Sequence, residues 1–262
     1  VRSVLGPFLL TIETEMGLSH GAAGVLFLFL ATGYGATMLL QGFVARAIGH
    51  RRSIVASLAL LGVATLLASG ARAVGPLRLA LLFVGASAAL YMPSGMATIY
   101  RITPRERWGA AVAIHEIGPG LAFVAAPLYA EAALRIAGWR AGMAALGLIA
   151  LAGAPVFALF GPPGDQRGEA PRLRNVGLFF RDPAFWVVAV AFWLSAALGV
   201  GAYSILPVFL ASERGLDRAT VNLLLGASRL TGLPAIFLAG ALADRLSPRL
   251  LIGLLVGGAG AL

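Results

Sequence analysis

Long apolar runs separated by short polar turns make up most of the chain. A helix needs about 20 apolar residues to cross the hydrocarbon core of a bilayer, and most of the runs reach that length. The pattern therefore predicts an all-α membrane protein with eight to nine transmembrane helices, the first and the last of them incomplete. The predicted crossings are 1–11, 21–45, 53–70, 79–100, 109–134, 141–160, 184–210, 219–243 and a ninth from 250 onwards.

One long polar segment interrupts this alternation after the sixth run. Residues 161–183 include four helix-breaking residues, Pro162, Pro163, Gly164 and Pro171, which is a composition typical of a linker. The sequence thus predicts a six-helix N-terminal half at 1–160, a linker at 161–183 and the start of a C-terminal half at 184–262. Both chain ends fall inside apolar runs, so we expect a fragment of a longer protein.

Two charged turns repeat at a spacing of 198 residues, one at 42–51 and the other at 240–249. The segment that begins at Glu15 aligns with the segment that begins at Glu213 at the same offset. A period this long is not that of a solenoid. The repeat therefore predicts two homologous, pseudo-symmetric halves of one membrane protein.

Composition restricts where such a chain can reside. Hydrophobic residues make up 59% of the chain and charged residues 12%, about half the charge of a soluble domain, so lipid is the predicted solvent. The net charge of +9 does not indicate nucleic-acid binding, because the arginines lie in separate short turns rather than on one basic stripe. Cysteine is absent, and His20, His50 and His115 are far apart. No metal site is therefore predicted.

The distribution of arginine predicts the orientation. The turns 46–52, 101–108, 161–182 and 244–249 hold twelve arginines, whereas the four opposite turns hold six. Positive residues are retained on the cytoplasmic side of a membrane, so the first set of turns is predicted to be cytoplasmic. We expect a multi-pass protein of the cell membrane, either a plasma membrane or a bacterial inner membrane.

The turn 240–249 resembles the signature loop of the major facilitator superfamily. The residues that carry the resemblance are Gly240, Asp244, Arg245 and Arg249 in one copy and Gly42, Gly49, Arg51 and Arg52 in the other. The earlier copy departs from the pattern at its acidic position, where Arg46 stands, and the later copy has Ser247 in place of the second glycine. In the fifth run, Gly118-Pro119 partly resembles the Gly-Pro motif of the family.

This resemblance implies a bundle of two six-helix halves, twelve helices in all, that rock around a site at the membrane midplane. It also implies secondary active transport by alternating access, as a symporter or an antiporter. In the family, the acidic residue of the signature loop pairs with neighbouring helix ends and holds one conformation. Asp244 is the candidate for that role here, and Arg46 could not act in the same way.

Ionisable side chains are few inside the predicted crossings, where a charge costs several kcal/mol unless it is paired or hydrated. Arg229 lies near the middle of the eighth run. A guanidinium group binds carboxylate, phosphate or nitrate through two parallel hydrogen bonds, so Arg229 is predicted to contact an anionic substrate. The alternative is a structural arginine that pairs with a helix carbonyl or an acid. Arg2, on the first helix, is a second substrate-binding candidate.

His115 and Glu116 are adjacent on the fifth run and are candidates for proton coupling. Successive residues point about 100° apart on a helix, so we expect one to face a cavity and the other a neighbouring helix. Imidazole titrates near neutral pH, and a carboxyl group in apolar surroundings can bind a proton there. The alternative is that Glu116 neutralises Arg229 or Arg2 structurally.

Aromatic side chains supply the remaining candidates. Tyr34 and Tyr203 are predicted to donate hydrogen bonds to a substrate, with simple packing as the alternative. Trp108, Trp139 and Trp186 lie near the ends of runs and are predicted to anchor the helices at the membrane interface.

The sequence therefore predicts a secondary transporter of a small solute, and the buried arginines favour an organic or inorganic anion. Drug or metabolite efflux is the alternative, since Gly118-Pro119 is typical of exporters in the family that the chain resembles. The expected partners are the lipid bilayer, the solute and protons, and no cofactor, metal or nucleic acid is expected. An enzyme is disfavoured because no Gly-x-Ser-x-Gly, His-x-x-x-His or paired-Asp motif lies in a crossing. A receptor or structural membrane protein would not need the duplication.

Overall fold

The computed structural model describes residues 2–162, 166–168, 177, 179–197, 203–230 and 232–260. These residues form helices joined by short turns, with no strand among them, so the predicted all-α fold is confirmed. The helices are α1 Leu5–Met16, α2 His20–Ile48, α3 His50–Gly70, α4 Val74–Ala89, α5 Tyr91–Ile102, α6 Trp108–Ile136, α7 Gly138–Phe160, α8 Pro183–Ala196, α9 Tyr203–Ser212, α10 Arg218–Leu230, α11 Gly232–Ala243 and α12 Pro248–Gly260. Single turns of 3-10 helix lie at Arg2–Val4 and Arg105–Arg107.

Six segments of the described chain are long and apolar enough to cross a membrane. They are His20–Ile48, His50–Gly70, Val74–Ile102, Arg105–Ile136, Gly138–Phe160 and Ala219–Ala243. Each agrees with a predicted crossing to within a few residues. The predicted seventh crossing, 184–210, is represented by α8 and α9, and residues 198–202 between them lie outside the described part of the chain.

Some turns between these helices contain fewer residues than the sequence predicts. Gly49 alone separates α2 from α3, in place of the predicted turn 46–52. Its φ of 84° and ψ of 160° are tolerated only by glycine. Arginine is a good helix former, so the polar residues around Gly49 extend both helices instead of ending them. Likewise Arg78, within the predicted turn 72–78, lies inside α4.

The described chain divides into two compact units. Unit 1 comprises Val1–Thr98 and Ala126–Pro171, and unit 2 comprises Ile99–Ala125 and Arg172–Leu262. The N-terminal part of α6 thus belongs to unit 2 and its C-terminal part to unit 1. Each unit is described separately below.

Unit 1 is built from two helix pairs that cross at glycines, α2 on α4 and α3 on α7. A methyl group added to Gly33 would lie 1.9 Å from the carbonyl oxygen of Leu82, and one added to Gly85 would lie equally close to α2. At the second crossing, a methyl group on Gly62 would lie 2.7 Å from the carbonyl oxygen of Gly147. Small residues allow membrane helices to approach to backbone contact, and these glycines set the spacing of the unit.

A polar network supports the break between α4 and α5. Pro93 has no amide hydrogen to donate within the helix, and the helix is interrupted three residues earlier, at Leu90. Gln41, which is 1% exposed, donates from Nε2 to the carbonyl oxygen of Leu90 at 2.9 Å and to Ser94 Oγ at 2.5 Å. Ser94 Oγ also lies 3.1 Å from His50 Nδ1. The network therefore connects the break in this span to the start of α3.

The predicted duplication has a structural counterpart in the turns that follow α1 and α9. Gly17 has a φ of 62° and Gly215 a φ of 64°, both in the left-handed region that favours glycine. Two residues later, Ser19 and Asp217 each accept a hydrogen bond from the backbone N–H three residues further on, at 3.3 and 3.0 Å. The same N-cap therefore begins α2 and α10.

The cap at Asp217 carries a charge. Hydrogen bonds from the side chain and then the backbone of Thr220 hold the pKa of the Asp217 carboxyl below its ordinary value. A carboxyl group with a lowered folded-state pKa stabilises the fold above its unfolded-state pKa. That contribution is lost as the pH falls through the lowered value.

A second polar cluster joins α1, α3 and α7 at the end of α3 remote from Gly49. Trp139 is 2% exposed, and its indole nitrogen donates to Glu15 Oε2 at 2.5 Å. Arg140 binds the other carboxylate oxygen of Glu15 and donates to the carbonyl oxygen of Ala71 at 2.9 Å. The prediction that Trp139 is an interface anchor is therefore wrong, because its ring packs inside unit 1 where an acid accepts its N–H.

Candidate functional site

In unit 2, the signature turn after α11 is hydrogen-bonded to the start of α6. Asp244 accepts from the backbone N–H of Gly109 through Oδ1 at 2.6 Å and from that of Ala110 through Oδ2 at 2.9 Å. The first amides of a helix have no intrahelical partner and carry partial positive charge. A carboxylate at this point satisfies both amides and is attracted to the helix end.

Close contact between α6 and α11 makes this bond possible. A methyl group on Gly109 would lie 2.5 Å from Asp244 Oδ1 and 2.6 Å from the carbonyl oxygen of Gly240. A methyl group on Gly240 would lie 2.4 Å from the Cβ of Ala113. Neither glycine position has room for a side chain. The two glycines thus bring the backbones together and place Asp244 within reach of the α6 amides.

The contacts made by the predicted site residues follow one another along one face of α6. Beyond the glycine contact, Glu116 lines the same cleft as Ile236, and Phe123 lies beneath the guanidinium group of Arg229. Glu116 and Phe123 are seven residues apart, which is about two helical turns, so they lie on the same side of the helix. Contacts further towards the C-terminus of α6 involve residues further towards the N-terminus of the α10–α11 segment. This order is expected for antiparallel neighbours.

The cleft beside this face has a volume of about 800 Å³. Tyr100 and Trp108 pack together near its polar end, with ring centroids 4.7 Å apart, and Arg105 lies 5.7 Å from the Trp108 ring. Most of the remaining wall is apolar. The lining residues are Tyr100, Arg105, Glu106, Trp108, Gly109, Val112, Ala113, Glu116, Ile236, Ala239, Gly240, Ala243, Asp244 and Leu251.

Arg229, at the end of α10, is partly buried and stacked on an aromatic ring. Its guanidinium carbon lies 5.1 Å from the centroid of the Phe123 ring, which is within the range of a cation–π interaction. Stacking occupies the face of the planar group, whereas the N–H donors lie along its edge. A guanidinium group held in this way can bind a planar or tetrahedral anion through two parallel hydrogen bonds.

His115 and Glu116 contact each other. His115 Nδ1 lies 3.0 Å from Glu116 Oε1, and the two side chains are 12% and 38% exposed. Glu116 lines the cleft and His115 does not, which is the separation that the 100° step predicts, but the side chains are long enough to meet. Among the described side chains, Glu116 pairs with His115 and not with Arg229.

The other predicted residues are distributed along the chain. Tyr34 is half-buried in α2 of unit 1, next to the crossing at Gly33. The side chains of Arg2 and Tyr203 lie outside the described residues. The signature positions lie within α2 (Gly42), between helices (Gly49, Asp244, Arg245), in the first turn of α3 (Arg51, Arg52), in α11 (Gly240) and in α12 (Arg249). The residues that the structure groups along α6 are thus Asp244, Glu116, His115 and Arg229.

Phe123 is the contact that the sequence reasoning missed. Its spacing of seven residues from Glu116 was the available signal, because residues two turns apart share a helix face. The spacing alone does not show that Phe123 contacts Arg229.

Comparison with known proteins identifies relatives of the whole chain. A profile of the Major Facilitator Superfamily matches residues 1–262. The "Probable sulfoacetate transporter SauU" of Cupriavidus necator is 26% identical over 257 residues, which cover 91% of this chain and 60% of that protein. A bacterial homologue of the human lysosomal transporter Spinster, solved in an inward-facing and occupied conformation, superposes with a TM-score of 0.67 at 17% identity. That match covers 95% of this chain and 60% of the other, and it shows the fold alone. The chain thus spans about 60% of the length of each of these two proteins.

Proposed function

The chain belongs to the major facilitator superfamily, and we propose that it acts as a secondary active transporter that carries a small anion across a membrane by alternating access. The two halves of this mechanism are 1–160 and the segment from 184 onwards, joined by the linker 161–183. The turns 46–52, 101–108, 161–182 and 244–249 face the cytoplasm of a plasma or inner membrane in this proposal, in keeping with their excess of arginine.

Arg229 is the observation that supports an anionic substrate. A guanidinium group is uncommon inside a crossing and marks a candidate functional residue, and stacking on Phe123 at 5.1 Å orients its donors. The Cupriavidus necator relative is named for sulfoacetate, a small organic anion. We assign Arg229 as a substrate contact, and Arg2, Tyr34 and Tyr203 as further candidates.

His115 and Glu116 are proposed as the proton-coupling pair. Their ring nitrogen and carboxylate oxygen are 3.0 Å apart, so a proton can be shared between the imidazole of His115 and a carboxylate that lines the cleft. Arg229, on α10, stacks on Phe123 of α6, which is on the same side of α6 as Glu116 and about two turns from it. Anion binding and proton binding would thus act on one helix.

Thermal stabilisation of the intact purified protein tests the substrate assignment, with a panel of sulfonates, carboxylates and inorganic anions. A ligand that binds the folded state raises its apparent stability. We expect one anion class to stabilise the wild type, and Arg229→Ala to weaken its binding by about 10- to 100-fold, because hydrogen bonds to charged groups contribute roughly 1.5–3 kcal/mol.

Arg214→Ala is the matched control, because Arg214 also stacks on an aromatic ring, Phe209, at 5.7 Å but lies in a turn. It should leave the affinity for the anion unchanged. If only neutral or cationic compounds stabilise the wild type, the anion assignment is wrong and efflux of drugs or metabolites becomes the better proposal.

Asp244 is proposed as the conformational latch of the signature loop. Asp244→Asn removes the charge that binds two amides of α6, and a carboxylate at a helix start contributes about 1–2 kcal/mol. We expect the cleft between α6 and α11 to open about 5- to 30-fold more often. The chain has no cysteine, so labelling of a single cysteine introduced as Ala239→Cys can measure the opening.

Asp217→Asn serves as the comparison for this measurement, since Asp217 caps only its own helix, α10. Its labelling rate should equal that of the parent protein. Equal rates for Asp244→Asn and Asp217→Asn would show that Asp244 is an ordinary helix cap and does not hold α6 against α11.

A further inference from the structure

Arg78 lies inside a span of membrane length, although the sequence pattern places it in a turn. It is in the second turn of α4, within the span Val74–Ile102. Its guanidinium carbon lies 5.9 Å from the centroid of the Phe29 ring on α2. Its Nε is buried without a hydrogen-bond partner among the described residues. A cation inside a span is uncommon and marks a candidate functional residue.

The crossing of α2 and α4 keeps the guanidinium group of Arg78 between these two helices. A methyl group on Gly33 of α2 would contact Leu82 and Ala86 of α4, which follow Arg78 by four and eight residues and therefore lie on the same side of the helix. Phe29 precedes Gly33 by about one turn of α2. The ring and the guanidinium group thus stack next to the closest approach of the helices, where Arg78 faces α2.

Among the described residues, no acidic side chain contacts Arg78. The described acids of unit 1 are Glu13, Glu15 and Glu131, and each of them pairs with a side chain other than Arg78. The sequence has no Asp or Glu between Glu15 and Glu106, so α2, α3 and α4 contain none. Stacking on Phe29 attracts the cation but supplies no acceptor for its N–H groups.

The two acids of unit 1 outside the described residues are too far along the chain to balance this charge. Asp165 and Glu169 directly flank the segment 166–168, which is hydrogen-bonded to Ala45 and His50 on either side of the α2–α3 turn. From that turn α3 runs for 21 residues, about 30 Å, and α4 begins four residues after α3 ends. Arg78 therefore lies at the opposite end of α3 from both acids.

A guanidinium group in these surroundings is suited to an anion from outside the protein. The Phe29 ring covers one face of the planar group, whereas the N–H donors lie along its edge. Such an edge binds a carboxylate or a phosphate through two parallel hydrogen bonds. A buried donor without an acceptor is unfavourable, so a bound oxyanion would stabilise the arginine as well as the ligand.

We propose that Arg78, stacked on Phe29, is a binding site for an oxyanion at the end of unit 1 remote from Gly49. In the predicted orientation this end faces away from the cytoplasm, because the turn 46–52 is cytoplasmic. The site does not depend on the substrate assignment, since it uses neither Arg229 nor the cleft beside α6.

Thermal stabilisation of the intact protein by inorganic phosphate tests the site. The parent for this measurement is Arg229→Ala, so that the proposed substrate contact does not contribute, and sodium chloride of equal ionic strength is the reference. We expect phosphate to raise the apparent stability, and Arg78→Gln to weaken phosphate binding by about tenfold or more, because hydrogen bonds to a charged group are lost. Phosphate binding that is unchanged by Arg78→Gln would overturn a free-anion site.

Arg72→Gln is the matched control, because Arg72 is exposed in the turn before α4 and its loss removes the same charge from the same end of unit 1. It should leave the affinity for phosphate unchanged, and a loss equal to that of Arg78→Gln would reduce the effect to general charge and overturn the site. Arg78→Lys keeps the charge without the planar fork. It should fold even if Arg78→Gln does not, and should bind phosphate about threefold or more weakly.

A lipid headgroup is the other source of the same oxyanion, and native mass spectrometry with phosphatidylglycerol distinguishes the two sources. Stabilisation of lipid-depleted protein by phosphate, dependent on Arg78, assigns the site to a free anion. Retention of phosphatidylglycerol that is lost in Arg78→Gln, with no stabilisation by phosphate, assigns it to the phosphate of a lipid. If neither probe depends on Arg78, the arginine binds no oxyanion and the proposal is overturned.

Discussion

Gly33→Ala should leave little folded protein, although it adds only one methyl group. The new Cβ would lie 1.9 Å from the carbonyl oxygen of Leu82 and 2.8 Å from its carbonyl carbon, and neither backbone atom can rotate away. The helices α2 and α4 would have to separate along their whole crossing, which also involves Gly85. Overpacking of a close-packed interior costs typically 1–3 kcal/mol, and we expect at least about 3 kcal/mol here, because backbone atoms are involved.

Gly35→Ala is the control for this prediction, two residues along the same helix. A Cβ at Gly35 meets nothing within 4 Å, so only helix propensity changes, and alanine is favoured over glycine by up to about 1 kcal/mol. The measurements are the yield of monodisperse protein and the melting temperature in detergent. Comparable values for the two variants would show that the α2–α4 crossing is not the close contact described here.

Trp139→Ala is expected to cause the second large loss. Trp139 is 2% exposed, and truncation of a buried tryptophan costs about 3–5 kcal/mol. The change also removes the N–H that binds Glu15 and the ring on which Arg140 stacks at 4.3 Å. The hydrogen bond to Glu15 joins α7 to α1, and the stacking orients Arg140, which binds the same carboxylate. The melting temperature of the intact protein should therefore fall.

A second variant at Trp139 separates packing from hydrogen bonding, and a variant at Trp186 is the control for burial. Trp139→Phe keeps most of the ring volume and loses the N–H donor, which should cost about 1–2 kcal/mol. Trp186→Ala removes a tryptophan that is 48% exposed and should change the melting temperature little. A loss for Trp186→Ala as large as that for Trp139→Ala would mean that burial does not determine the effect.

The sequence predicted the helices and their order because apolar length alone specifies a crossing. It also identified Asp244, since a charged turn repeated at a fixed spacing is visible without coordinates. The ends of the helices were less accurate. The polar residues around Gly49 indicate a turn in the sequence, but they also have high helix propensity. The two helices therefore extend up to Gly49, and the turn is a single residue.

Contacts between helices were beyond the reach of the sequence. Gly33 and Gly35 are indistinguishable in a run of small residues, yet only Gly33 meets a neighbouring backbone. Trp139 lies near the end of an apolar run, as interface residues do, and only the position of Glu15 shows that its ring is buried. Arg229 could be recognised as an isolated charge, but its stacking on Phe123 depends on how α6 and α10 are paired.

The matching turns at Gly17 and Gly215 bear on the history of the chain. Their φ angles differ by only two degrees, whereas the capping residue changed from Ser19 in one copy to Asp217 in the other. Ser and Asp side chains both supply the oxygen that an N-cap needs, so this position tolerates exchange, whereas the left-handed φ of the preceding turn favours glycine in both copies. In the two halves the helix start is thus kept through its backbone angle, and the chemistry of the cap varies around it.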